Sequence, residues 1–140
     1  MEFVIASHNL KKIREMNAIL GALGILFEPL PEGAPEPEEN GTSFEENAYI
    51  KARAACMLTG KPAIADDSGL VVDALNGAPG IHSARYCEGS DSDRNAFLLQ
   101  NMAQTPDGQR QARFVSAISC VFPNGDTLTV RGECPGEILR

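Results

Sequence analysis

Histidine is scarce in this chain: there are two, His8 and His82, far apart in sequence. Neither a serine-type catalytic triad nor a histidine-rich metal site can be assembled from them. The cysteines Cys56, Cys87, Cys120 and Cys134 include no C-x-x-C pair. That argues against a disulfide framework or a zinc cluster and for reduced thiols, most of them in core or near-core positions. Basic residues are outnumbered 12 to 19, for a net charge of −7. Duplex nucleic acid and anionic membranes both favour basic surfaces, so neither is expected as a partner. A small polyanion can still bind if a local cluster of cations, a metal ion or both receives it. No apolar run approaches the length of a membrane span. The opening "MEFVIASHNLKK" has neither the basic leader nor the long apolar stretch of a secretory signal, so a cytoplasmic location is the expectation. Repeats and low-complexity linkers are missing too, and 140 residues are most simply one domain.

What is present reads as alternating strands and helices. "EFVIA" (Glu2 to Ala6) is a short buried strand. It leads into a helix whose Ile13, Met16, Ile19, Leu20 and Leu23 fall at helical spacing, with Gly21 and Gly24 as stops. "ILFEPL" is a second strand, and the Pro-, Glu- and Gly-rich stretch from Pro29 to Gly41 is an exposed loop. A second helix through "FEENAYIKARAACMLT" opens on Thr42 with Glu45, or Ser43 with Glu46, and stops at Gly60. "KPAIAD" and "GLVVDAL" read as two short strands on either side of an acidic turn, and "SDSDRNAFLLQNMAQ" as a third helix. "QARFVSAISCVF", "PNGD" and "TLTVRGEC" form a long hairpin around Asn124-Gly125. The fold class expected is therefore α/β or α+β: a twisted mixed sheet flanked by helices, with a long antiparallel hairpin.

Chemistry concentrates at a few places. In "IASHNLKK" a strand feeds a helix whose first turn carries Lys11 and Lys12. Cations there oppose the helix dipole, so Asn9 and Lys12 either contact an anion or are a cap and a solvated lysine. Glu36, Glu38 and Glu39 form a loop of carboxylates, which is solvated by default but suits magnesium if a second carboxylate meets it. Asn47 and Lys51 are four residues apart and share a helix face. Asp66 and Asp67, followed by Ser68 and Gly69, are the most informative feature. Two carboxylates at the mouth of an apolar strand need a partner. They either cap backbone N–H groups or divide the work, one binding a metal while the other orients a water or a lysine. The "DSG" of an aspartic protease does not fit, because Asp66 precedes Asp67, Leu70 follows Gly69, and the first half is helix-rich. Arg85, after the Gly-Pro loop, either binds phosphate or a carboxylate or anchors that loop.

Together "SHNLKKIREM", "TSFEENAYIKARAA", "PAIADDSGLVVDALNGAPGIHSARY" and "RQARFVSAISCVFPNGD" resemble, in collinear order over nearly the whole chain, the Ham1-like (RdgB/inosine triphosphatase) family of non-canonical purine nucleoside triphosphate pyrophosphatases. The Maf-type pyrophosphatases share the broad fold but not the "ADDSGL…GAPG" spacing. The resemblance implies magnesium-dependent hydrolysis of ITP, dITP or XTP to the monophosphate and pyrophosphate. It implies Glu39 and Asp67 as metal ligands, Asp67 also as general base, and Ser7, Asn9, Lys12 and Lys51 as triphosphate contacts, with Ser68 beside the substrate. A cytoplasmic homodimer is expected. Beyond "GECPGEILR" the family continues with a glycine-rich segment, an F-G-Y-D motif, a lysine and an S-H-R motif, whereas this sequence stops at Arg140. The expectation is thus a single domain, 1–140, lacking the family's C-terminal segment and its base-pocket residues, with an exposed sheet edge. The alternative reading is a catalytically impaired fragment that binds metal and triphosphate weakly or acts as an assembling partner.

Overall fold

The computed structural model describes residues 2–35 and 37–140. Glu36 and the side chain of Arg85 lie outside the described part. Strands β1 (Glu2–Ile5), β2 (Leu26–Glu28), β3 (Ala63–Val72), β4 (Gln111–Val121) and β5 (Thr127–Glu137) alternate with helices α1 (Leu10–Leu20), α2 (Phe44–Thr59) and α3 (Asp91–Asn101). Short 3-10 turns cover Gly21–Leu23, Asp73–Leu75 and Gly80–Arg85. The sheet order is β2-β1-β3-β4-β5, with β1 parallel to both β2 and β3. Asn124 and Gly125, at φ +95°, turn β4 back into β5 as a hairpin. The mixed α/β class read from the sequence is therefore the observed one.

Contacts gather into two compact units, Met1–Asp67 with Ala117–Arg131, and Ser68–Ser116 with Gly132–Arg140. In the first unit the period-2 pleat of the strands feeds two separate cores. Phe3, Ile5, Ile64 and Phe27 pack against Ile13, Met16 and Leu20 of α1. Val4, Ala63 and Ala65, on the alternate positions, pack against Ala52, Ala55 and Cys56 of α2. Ala48, Ala52 and Ala63 are each fully buried. With methyl groups on both sides of that contact, α2 lies close over β3, and polar side chains on its first two turns reach the strand. Ser43 caps α2, its hydroxyl accepting from the Glu46 N–H at 3.1 Å, and Gly60 ends it at φ +69°. The Ser43/Glu46 register is thus the one adopted, with Glu46 turned back onto the Thr42 N–H at 2.8 Å.

The expected turn at Asp66-Asp67 does not form. β3 runs unbroken from Ala63 to Val72, and Gly69 does not enter the left-handed region. Aspartate, serine and glycine favour turns in isolation, but the place of β3 inside the sheet, between β1 and β4, overrides that preference.

In the second unit, α3 packs Leu98 and Met102 on Val72 and Ala112. Arg110, 5% exposed, donates to the carbonyls of Met102 (2.9 Å), Thr105 (3.1 Å), Ile138 (2.9 Å) and Leu139 (3.4 Å). A buried guanidinium satisfied by backbone oxygens costs most when it is removed, because its acceptors are then orphaned. Arg110→Met is therefore expected to lower unfolding free energy by about 3 kcal/mol or more, read from urea denaturation; a loss under about 1 kcal/mol would contradict this role. Ser90 and Asp93 form a reciprocal cap on α3, the Ser90 N–H reaching Asp93 Oδ2 at 2.8 Å. The Ser90 backbone and hydroxyl hydrogen bonds hold the Asp93 carboxyl below its ordinary range. A depressed folded pKa gives stability that is present above the unfolded value and lost as pH falls through the folded one. The gap in urea midpoint between wild type and Asp93→Asn is accordingly expected to close below about pH 4; a gap unchanged at acid pH would show that the carboxylate charge does not contribute.

Candidate active site

The order β2-β1-β3 makes β1 the strand at which the chain reverses its direction of winding, with α1 following β1 and α2 preceding β3. In open α/β sheets, ligands bind beyond the carboxyl ends of the strands at such a switch point. Asp66 and Asp67 lie in β3 just past the carboxyl end of β1, whose Ile5 is opposite Ile64, and the first unit brings Ser7, Asn9, Lys12, Glu39, Asn47 and Lys51 to that side.

Because β3 stays extended, its two aspartates face opposite sides. Asp66 joins the α1 side, where Lys12 Nζ donates to its Oδ1 at 2.6 Å. The pair borders a cavity of about 140 Å³ together with Ile5, Ile64, Met16 and Ile19. Asp67 joins the α2 side, beside Asn47 and Lys51, with the Glu39 carboxylate near enough to repel it. Lys51 Nζ donates to the Asp66 carbonyl at 2.5 Å and lies 3.0 Å from Glu39 Oε1. Of the roles the sequence left open for the pair, Asp66 orients a lysine, and Asp67 keeps one oxygen without a partner.

Asp67 Oδ2 is buried and has no hydrogen-bond partner among the described residues, alone among buried side-chain oxygens and nitrogens there. Native structures leave few such atoms, and each calls for a reason such as a catalytic role, a bound ion or an ordered water. Burial pushes the Asp67 carboxyl above its ordinary value, against the Asn47 hydrogen bond and the Lys51 charge, which lower it; Glu39 and Asp66 add to the rise. A raised carboxylate is a better proton acceptor near neutral pH.

The β1–α1 turn is more fully used than the sequence implied. Asn9 is the N-cap of α1, its Oδ1 accepting from Lys11 N–H (3.0 Å) and Lys12 N–H (3.4 Å), while Ser7 Oγ accepts from Asn9 N–H at 3.0 Å. Asn9 therefore has only its amide N–H groups to offer an anion. His8, given no role from the sequence, approaches the Ala34 carbonyl at 3.3 Å in the loop that carries Glu39. Ser68 is exposed and lines a cavity of about 770 Å³ within the second unit, with Ser83, Tyr86, Arg94 and Asn95.

Among the described residues no three His, Cys, Asp or Glu side chains gather as a metal cage. Magnesium does not ask for one: it takes one or two carboxylates and completes its octahedron with phosphate and water. A carboxylate pair with one buried, partnerless oxygen fits that demand. The sequence marks Asn47 as sharing a helix face with Lys51 and gives it no role of its own. Its signal was a lone amide on an alanine-rich helix face, one turn before Lys51.

A dITP/XTP pyrophosphatase of Symbiobacterium thermophilum is 51% identical over 135 residues, spanning 96% of this chain and 68% of that protein. A dITP/XTP pyrophosphatase of Pseudomonas aeruginosa is 49% identical, spanning 99% and 72%. The crystal structure of a nucleoside-triphosphatase / dITP/XTP pyrophosphatase from Mycobacterium abscessus superposes with a TM-score of 0.86 at 43% identity, covering 99% of this chain and 74% of that one. A HAM1 protein from Coxiella burnetii gives 0.91 at 42%, covering 99% and 73%. Residues 3–140 match the Ham1 family as a whole, so the strand-end carboxylates and lysines described above are those of a Ham1 family member.

Proposed function

We propose that this chain hydrolyses nucleoside triphosphates carrying deaminated purines (dITP, XTP and ITP) to the monophosphate and pyrophosphate, with magnesium as cofactor. The observation that carries the reading is the buried, unpartnered Asp67 Oδ2 beside Glu39 and Lys51 at the switch point of the sheet. The base class comes from the relatives, whose names specify dITP and XTP.

In this reading Lys12, Lys51, Ser7 and the Asn9 amide receive the triphosphate, and Asp66 holds the Lys12 ammonium in place. Asp67 accepts the proton of the attacking water. The bond between phosphorus and oxygen that joins the α- and β-phosphates breaks, and its electron pair leaves with pyrophosphate. Glu39 and Asp67 are the residues that would hold magnesium, which when bound neutralises phosphate charge and polarises the phosphoryl group. The reading includes a cytoplasmic homodimer, to which the exposed outer strand β5, with Leu128 and Val130 on its surface, offers an edge.

The test is pyrophosphate release from dITP, XTP and ATP, with and without magnesium, by wild type and Asp67→Asn. Expected is magnesium-dependent release favouring dITP and XTP, and a fall in kcat of about 10²–10⁴-fold in the variant, the range of a lost general base. The variant's melting temperature should be no lower than that of wild type, because an uncompensated buried carboxylate is removed. No pyrophosphate from a folded wild-type chain would overturn the enzyme reading and leave a nucleotide-binding role. Full activity in Asp67→Asn would remove Asp67 from the mechanism.

A further inference from the structure

Asn47 is 2% exposed, on the α2 face otherwise occupied by Ala48, Ala52 and Ala55. A buried amide is costly unless both of its ends are used. Its Oδ1 accepts the Gly41 N–H at 2.8 Å, and its amide lies near enough to Asp67 to favour the charged carboxylate. Gly41 follows Glu39 by two residues, and the Glu39 carboxylate is paired at 3.0 Å with Lys51, one helical turn beyond Asn47. The fit at Gly41 is tight: a Cβ there would lie 2.7 Å from both Asn47 Oδ1 and Glu46 Cβ. One planar side chain thus ties the loop bearing one carboxylate to the strand end bearing the other.

We propose that Asn47 is a positioning residue that fixes the Glu39 loop against Asp67, and so sets the affinity of the carboxylate pair for a divalent cation. The inference rests on the reading of Glu39 and Asp67 given under Proposed function. Asparagine suits the position because it presents an acceptor and a donor at opposite ends of one rigid group. Aspartate keeps the acceptor for Gly41 but loses the donor and adds a third negative charge. Leucine has the same shape and neither function.

The test is Mn²⁺ binding to nucleotide-free wild type, Asn47→Leu and Gly41→Ala, followed by electron paramagnetic resonance. Half-saturating Mg²⁺ for pyrophosphate release from dITP is measured alongside. Gly41→Ala leaves Asn47 in place and pushes the loop from the other side, so the test does not depend on Asn47→Leu folding. Expected is Mn²⁺ affinity at least tenfold weaker in each folded variant. Half-saturating Mg²⁺ should rise by a similar factor, with a smaller effect on kcat at saturating Mg²⁺. Melting temperatures that fall while Mn²⁺ affinity stays within twofold of wild type would overturn the proposal, since a merely structural residue behaves that way. Wild-type protein that binds no Mn²⁺ would instead overturn the metal reading beneath it, and the inference with it.

Discussion

The pleat of β3 divides the labour of the site. Adjacent residues of an extended strand face opposite ways, so Asp66 and Asp67 cannot share a partner while the strand stays extended. Asp66 is drawn into an ion pair with Lys12, 2.6 Å apart on the α1 side. Asp67 is left on the α2 side with an oxygen that finds no partner. Had the chain turned at these residues, both carboxylates would be free to cap backbone groups and neither would be held in reserve. Strand continuity is therefore what turns an acidic dipeptide into one structural and one available carboxylate.

The α2–β3 contact sets the geometry around that available group. Alanines at 48, 52 and 55 on the helix and at 63 and 65 on the strand are buried against one another or nearby. With so little side-chain bulk between them, the helix brings Asn47 and Lys51 to the end of the strand. Larger residues in this layer would enlarge the spacing, and the cost of overpacking would fall on the site as well as on stability. The Ser43 cap and the Glu46–Thr42 contact then fix how the preceding loop enters, placing Glu39 against Lys51.

Much of this was legible in the sequence. Helical spacing from Ile13 to Leu23, the cap signal at Ser43, and Asn124-Gly125 each mark elements that the structure contains. Motif resemblance named Lys12, Glu39, Lys51 and Asp67, which are neighbours in the first unit, and Ser68, which lines the cavity of the second. The expectation of a turn at Asp66-Asp67 fails because composition reports local preference, while the place of β3 between β1 and β4 is a long-range constraint. The sequence marks Asn47 only as a neighbour of Lys51 on one helix face and Arg110 not at all, for a related reason. Their importance lies in which backbone groups they satisfy, and those partners, Gly41 for one and Met102 to Leu139 for the other, cannot be read from spacing. Residues that break a local rule, such as aspartates within a strand or an amide in an alanine layer, are where function is expected to sit.

The most direct test of the account is the carbon-13 resonance of the Asp67 side-chain carboxyl, followed while Mg²⁺ is added to the nucleotide-free protein and assigned with Asp67→Asn. The account predicts a saturable shift of the Asp67 carboxyl, accompanied by that of Glu39, with the Asp66 carboxyl left close to its starting position by its pair with Lys12. A titration in which Asp66 moves and Asp67 does not would contradict the division of roles on which the account rests.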